Sequence, residues 1–118
     1  VIVPPLPRVR AETGAGAVLA LAIVATCSVF GVGAVSLAAG LTARQRLIGA
    51  GDLAALAAAD AASGAVAGAP CEIARRVAAS ANATVSTCQI DGLVVGVTVV
   101  GSFAGIPITS RSRAGPPP

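Results

Sequence analysis

The residues able to do chemistry are few and scattered. Neither His nor Lys occurs, so the chain has no imidazole to act as base or ligand and no side-chain amine to form a Schiff base. Beyond the apolar part of the sequence the acids are Asp52, Asp60, Glu72 and Asp91. Each has an ordinary place on a helix surface, at a helix start or in a turn, and no two form a convincing catalytic pair. The thiols are Cys27, Cys71 and Cys88, and with Cys27 in apolar surroundings the set does not make a metal site. Two glycine-rich pieces, GAGAV and GVGAV, sit inside an apolar run rather than between a strand and a helix, so they do not read as a phosphate cradle. Asn82-Ala83-Thr84 matches a glycosylation sequon, a motif that often arises by accident. The expectation is a protein that is not an enzyme and carries no metal or cofactor. The one chemical step the residue types favour is pairing of Cys71 with Cys88.

The elements that hold those residues begin with a stretch free of charge, Gly14 to Ala43, between Arg8/Arg10 and Arg44/Arg46. A secretory signal has an apolar core of about 7–15 residues, roughly half this length, so the run favours a span over a removable signal. About 20 helical residues cross a bilayer core, and the run exceeds that. On a helical wheel Thr26, Gly33, Ser36 and Gly40 share one face. A stripe of small residues lets a second helix approach closely in lipid, although Gly and Ser are also simply common in membrane helices. Charge leaves the orientation nearly balanced, because Glu12 offsets the first arginine pair. The cysteines are more informative: a pair beyond the span suits an oxidising space, which puts the N-terminus in the cytoplasm and the rest outside it. Cys27, within the span, reads as a small apolar filler.

What remains must be small. The chain has 118 residues, 55% of them apolar, and its only aromatics are Phe30 and Phe103, so large core-filling side chains are scarce. The net charge of +3 is carried by dispersed arginines with no interleaved aromatics, which argues against nucleic-acid binding.

The helical pattern continues from Ala43 to Ala62 as a stalk rich in strong helix formers, with Gly49 and Gly51 as places for a bend or break. The segment Ser63 to Pro70 stops it. A short amphipathic helix follows, with Pro70 in its first turn and Glu72 spaced for Arg75 and Arg76. Ile73 and Val77 share its apolar face, and Asn82 ends it. The period then changes to that of strands. TVSTCQI and LVVGVTVV flank Asp91-Gly92, which reads as a type I′ hairpin pairing Ile90 with Leu93, Cys88 with Val95 and Ser86 with Val97. Ile90, Cys88, Leu93, Val95, Val97 and Val99 then face the Ile73/Val77 side of the short helix, and Thr87, Gln89 and Thr98 face away. This register aims Cys88 at the helix whose first turn holds Cys71. A disulfide follows, with two separate buried thiols as the alternative. IPITSRSR, from Ile106, reads as an edge strand, because Pro107 cannot donate to a ladder and outward Arg111 and Arg113 discourage further pairing.

The fold class expected is α+β: a long N-terminal transmembrane and stalk helix, a short second helix and a small antiparallel sheet. The organisation is a Pro/Arg-rich tail over 1–13, a membrane helix over 14–43, a stalk over 44–63, a head over 64–113 and a Pro-rich tail over 114–118. In this arrangement TARQRLIGAGDLAALAAADAA, PCEIARRVAASANATVSTCQIDGLVVGVTV and SRSRAGP resemble the actinobacterial TadE-like proteins, over about Gly14 to Pro116. These are pilin-like products found in a helicase and secretion-ATPase gene neighbourhood.

The resemblance implies a minor pilin or pseudopilin of the tight-adherence (Flp) branch of type IV machinery. Its partners would be the membrane, other pilin-like subunits, an assembly platform and a prepilin peptidase acting near Gly14 or Gly16, and its final place an extracellular fibre. One departure stands out: a cut after Gly14 puts Leu19 at the fifth mature position, where the family typically has Glu. Two alternatives are a single-span protein of a secretion or envelope complex that never polymerises, and a small secreted factor.

Overall fold

The computed structural model describes residues 2–5 and 13–118. Arg8, Arg10 and Glu12, and with them most of the N-terminal tail, lie outside the described residues. The fold is α+β. Helix α1 (Thr13–Ala62) is followed by α2 (Pro70–Ser80) and strands β1 (Thr84–Asp91), β2 (Val94–Phe103) and β3 (Ile106–Ala114). The strands form one antiparallel sheet in the order β1-β2-β3. By packing, the chain divides after Ala38, so the stalk belongs with the head and is not a separate module beneath it.

In the first unit the helix is exposed along its length and folds on its own backbone. Thr26 Oγ1, Ser28 Oγ and Ser36 Oγ donate to the carbonyls of Ala22, Val24 and Val32, each four residues back. Those hydroxyls are therefore satisfied without a partner chain, as an apolar surrounding requires. The stretch Gly14–Ala62 is long and apolar enough to cross a membrane.

In the second unit the core is built from alanines. Leu47, Ala50, Ala54, Ala55, Ala58 and Ala61 recur at the helical three-and-four spacing on α1 and are buried. They meet Val95, Val97 and Val99, the largest fully buried side chains, on the inner face of β2. The residues in register show that β2 runs antiparallel to the stalk. A Cβ on Gly51 would lie 3.1 Å from Val99 Cγ2, one on Gly101 3.0 Å from Leu47 Cδ1, and one on Gly40 3.4 Å from Phe103 Cε1. Gly49 and Gly51 do not break the helix into two, since α1 is continuous through both. Gly51 is instead a place where the helix lies close against the sheet, with Ser112 and Val99 filling the space a side chain would need.

Both helices end in the same way. Gly64 (φ 81°) follows α1; its N–H bonds to Ala61 O, and that of Ala65 to Asp60 O. Asn82 (φ 56°) follows α2, with its N–H on Ala79 O and that of Ala83 on Ala78 O. Each is a Schellman closure with a residue able to take a left-handed conformation at the stop, Gly in one case and Asn in the other. Asn82 thus terminates the helix as the sequence predicts.

Two expectations about the head need correction. The hairpin turn sits one residue later than expected: Asp91 pairs with Val94, and Gly92-Leu93 form the loop. Only the first loop residue, Gly92 (φ 60°), has positive φ, the sign pattern of a type II′ turn, which needs Gly at the first central position and leaves Asp91 in the strand. The register moves accordingly: Cys88 pairs with Val97 and Ile90 with Val95, and Ser86 occupies an irregularity between Val85 and Thr87 instead of pairing with Val97. The shift is two residues along β2, so Cys88 keeps its inward face. The second correction concerns what covers that face. Ile73 and Val77 are only half-buried, and the residues α2 buries are Ala74 and Ala78. The alanine stripe of the stalk lies over the valines of β2, while α2 packs chiefly on β1. Ile90 and Leu93, at the hairpin tip, extend past this cover and stay about half exposed, at 50% and 49%.

Candidate functional site: the apolar helix and its clasp

The disulfide forms. Cys71 Sγ and Cys88 Sγ are 2.03 Å apart and the Cα atoms 5.9 Å apart, joining the first turn of α2 to the middle of β1. The local cause is the one the sequence suggested: Pro70 starts α2 at a fixed φ, which places Cys71 on the side facing β1, and the strand alternation turns Cys88 towards it. On α2, Glu72 accepts a charge-assisted hydrogen bond from Arg75 on the exposed surface; no pair to Arg76 forms. Cys27 is a free thiol, exposed on the apolar helix.

The four residues of the small-residue face behave differently from one another. The hydroxyls of Thr26 and Ser36 are turned back onto the helix, and a Cβ on Gly33 would meet nothing within 4 Å, so this part of the face is open to a neighbour. Gly40 is not open in the same way, because the ring of Phe103 lies against it. Gly14 and Gly16 lie in the first turns of α1, exposed and with nothing nearby.

The outer face of the sheet is polar. Gln89, Gly96 and Arg113 form one row across the strands, and Thr87, Thr98 and Arg111 the next. Gly96 floors a shallow depression of about 360 Å³ between them. A second polar feature, among the described residues, is internal. Ser112 Oγ is buried with no hydrogen-bond partner, and a Cβ on Gly51 would lie 2.8 Å from it. Asp52, Asp60, Glu72 and Asp91 are exposed and fall on three elements, the first two on α1, Glu72 on α2 and Asp91 at the end of β1. Among the described residues no three His, Cys, Asp or Glu side chains are grouped to hold a metal ion.

The contact residues that sequence reasoning missed are Gly51, Gly101 and Phe103. A glycine opposite a leucine or a valine across two elements is the available signal, but reading it requires knowing which elements face each other.

Comparison of the chain with protein-family models, with curated proteins and with solved structures returns no match. The geometry must therefore carry the functional reading.

Proposed function

We propose that the chain is a membrane-anchored structural protein, a minor pilin or pseudopilin-like subunit of a tight-adherence pilus or secretion apparatus. Helix packing, with no catalytic step, is what it contributes. The observation that supports this most is the contrast within α1: a charge-free half exposed on all sides, then a half capped by a disulfide-bonded α+β head. An exposed apolar helix needs either hydrocarbon or neighbouring helices around it, and a pilin uses first one and then the other. The span anchors the chain in the cell membrane with the head extracytoplasmic. Extraction by an assembly platform buries the helix against neighbouring spans, with Thr26, Gly33 and Ser36 at the closest approach.

A second reading is a single-span protein that stays in the membrane and binds a partner through its head. Leu19 at the fifth position after a cut at Gly14 favours it, as does Phe103, which already occupies the Gly40 end of the packing face. N-terminal sequencing of the native product, combined with fractionation, separates the two. A start near Gly14 with recovery in sheared fibres is the outcome expected of a pilin. An intact chain held in membranes favours the second reading, and a soluble product starting after Ala43 overturns both.

A further inference from the structure

The turn joining β2 to β3 has properties that the head itself does not require. Its central residues are Ala104 (φ 50°) and Gly105 (φ 78°), the sign pattern of a type I′ turn. Asn, Asp or Gly normally fills the first of these positions, because a left-handed conformation costs an L residue with a Cβ about 1–2 kcal/mol. Here the strained position holds Ala, so the turn gives up a polar side chain at its tip and accepts the strain.

The surroundings of that tip are apolar as well. Between Asp91 and Arg111 the sequence has no charged residue. Ile106 is 66% exposed although it sits on the inner face beside Phe103, and Ala104 and Pro107 are exposed with it. The location of this patch follows from the register along the stalk. Phe103 lies on Gly40, within the last turn of the charge-free run, and Arg44 and Arg46 follow one to two turns later. A helical run from Gly14 to Ala43 rises about 45 Å at about 1.5 Å per residue. That matches the full thickness of a bilayer, about 40–45 Å with its headgroups, so Gly40 is at headgroup depth when the run spans.

We infer that the β2–β3 turn, Phe103 to Pro107, docks into the interface of the lipid bilayer that the apolar helix crosses. The inference rests on the anchored reading of α1. The occupant is lipid because the patch is continuous with the span through the Phe103–Gly40 contact. Arg44 and Arg46 lie just above that level, where arginine stems can lie along apolar surface while their heads meet phosphate. The docked turn gives the head a second point of attachment and fixes which side of the sheet looks away from the membrane.

The chain contains no Trp, so a single introduced Trp reports without background. The full chain is reconstituted in phosphatidylcholine/phosphatidylglycerol vesicles, with and without acyl chains brominated near the headgroup end. Ile106→Trp and, as an independent neighbour, Pro107→Trp are compared with Leu93→Trp at the other hairpin turn and with Phe30→Trp within the run. Circular dichroism and an intact disulfide verify folding. The expected result is blue-shifted emission quenched by the brominated lipid for Phe30→Trp, Ile106→Trp and Pro107→Trp, and water-like, unquenched emission for Leu93→Trp. Quenching at position 30 with none at 106 and 107 overturns the inference and leaves the anchor intact. Blue-shifted but unquenched emission at 106 overturns it in favour of protein contact, and equal quenching at 93 overturns the specific placement. No quenching at position 30 overturns the anchored reading and this inference together.

Discussion

The two halves of α1 share a wealth of Ala and Gly, but the first carries no charge and the second holds Arg44, Arg46, Asp52 and Asp60, and their surroundings are opposite. From Gly14 to Ala38 every described side chain is exposed, and a Cβ on Gly31 or Gly33 would meet nothing. From Ala50 to Ala61 the alanines on one face are sealed beneath β2. Small residues let a neighbour come close, but they do not specify which neighbour. In the stalk the sheet of the same chain fills that role, and in the apolar half the face is left for lipid or another chain. Burial of alanines and valines also yields little per residue, because the transfer gain scales with the apolar area removed from water. The head therefore depends on its covalent link more than a domain with Leu and Phe in its core would.

The largest expected effect tests that dependence. Cys71→Ser with Cys88→Ser removes a cross-link that contributes about 3 kcal/mol for a loop of this size, and should melt the head while the helical signal of the apolar half in detergent persists. Loss of both signals together would show that the halves are not independent. Next in size is Gly51→Ala, which forces a Cβ to within 2.8 Å of Ser112 Oγ and 3.1 Å of Val99 Cγ2. Overpacking costs about 1–3 kcal/mol and the helix-propensity gain returns about 1, so a denaturation midpoint should fall modestly. Adding Ser112→Ala should restore most of the loss. Ser112→Ala alone should be neutral or stabilising by roughly 1 kcal/mol, because the hydroxyl it deletes is buried and unpartnered. Smallest is Gly33→Ala, the counterpart in the open half. It should leave the melting of the head unchanged, since nothing lies within 4 Å of the new Cβ. A fibre that disappears with Gly33→Ala while the monomer melts normally would assign the open face to self-packing.

Much of this was legible in the sequence wherever one residue type has one physical meaning. Pro70 starts a helix, Gly64 and Asn82 stop two, and alternation of Val with small or polar residues from Val95 to Val99 marks a strand with a buried side. The disulfide could be read because strand alternation constrains Cys88 even when the turn is misplaced by one residue. The stacking of elements was less legible. Ile73 and Val77 looked like the natural cover for the sheet because they are large, whereas the cover is an alanine stripe whose advantage is closeness, a property of two surfaces together. The turn type at Gly92 was missed for a related reason: Asp-Gly fits both central positions of one turn, and Gly alone fits the first position of another. For the packing face, Thr26, Gly33, Ser36 and Gly40 are equivalent on a helical wheel, and only the fold shows that Phe103 covers the last of them.

The alignment of β2 along the stalk has a mechanical consequence. The central strand lies antiparallel to the helix, hydrogen-bonded on both sides, and touches it at points spread from Gly40 to Gly51. Tension applied along the helix axis at that level loads these contacts in shear, so that they must slip together and cannot peel one after another. The weak individual contacts of alanine and glycine thereby resist pulling as a set, whereas a smaller force acting across them would part helix from sheet one contact at a time.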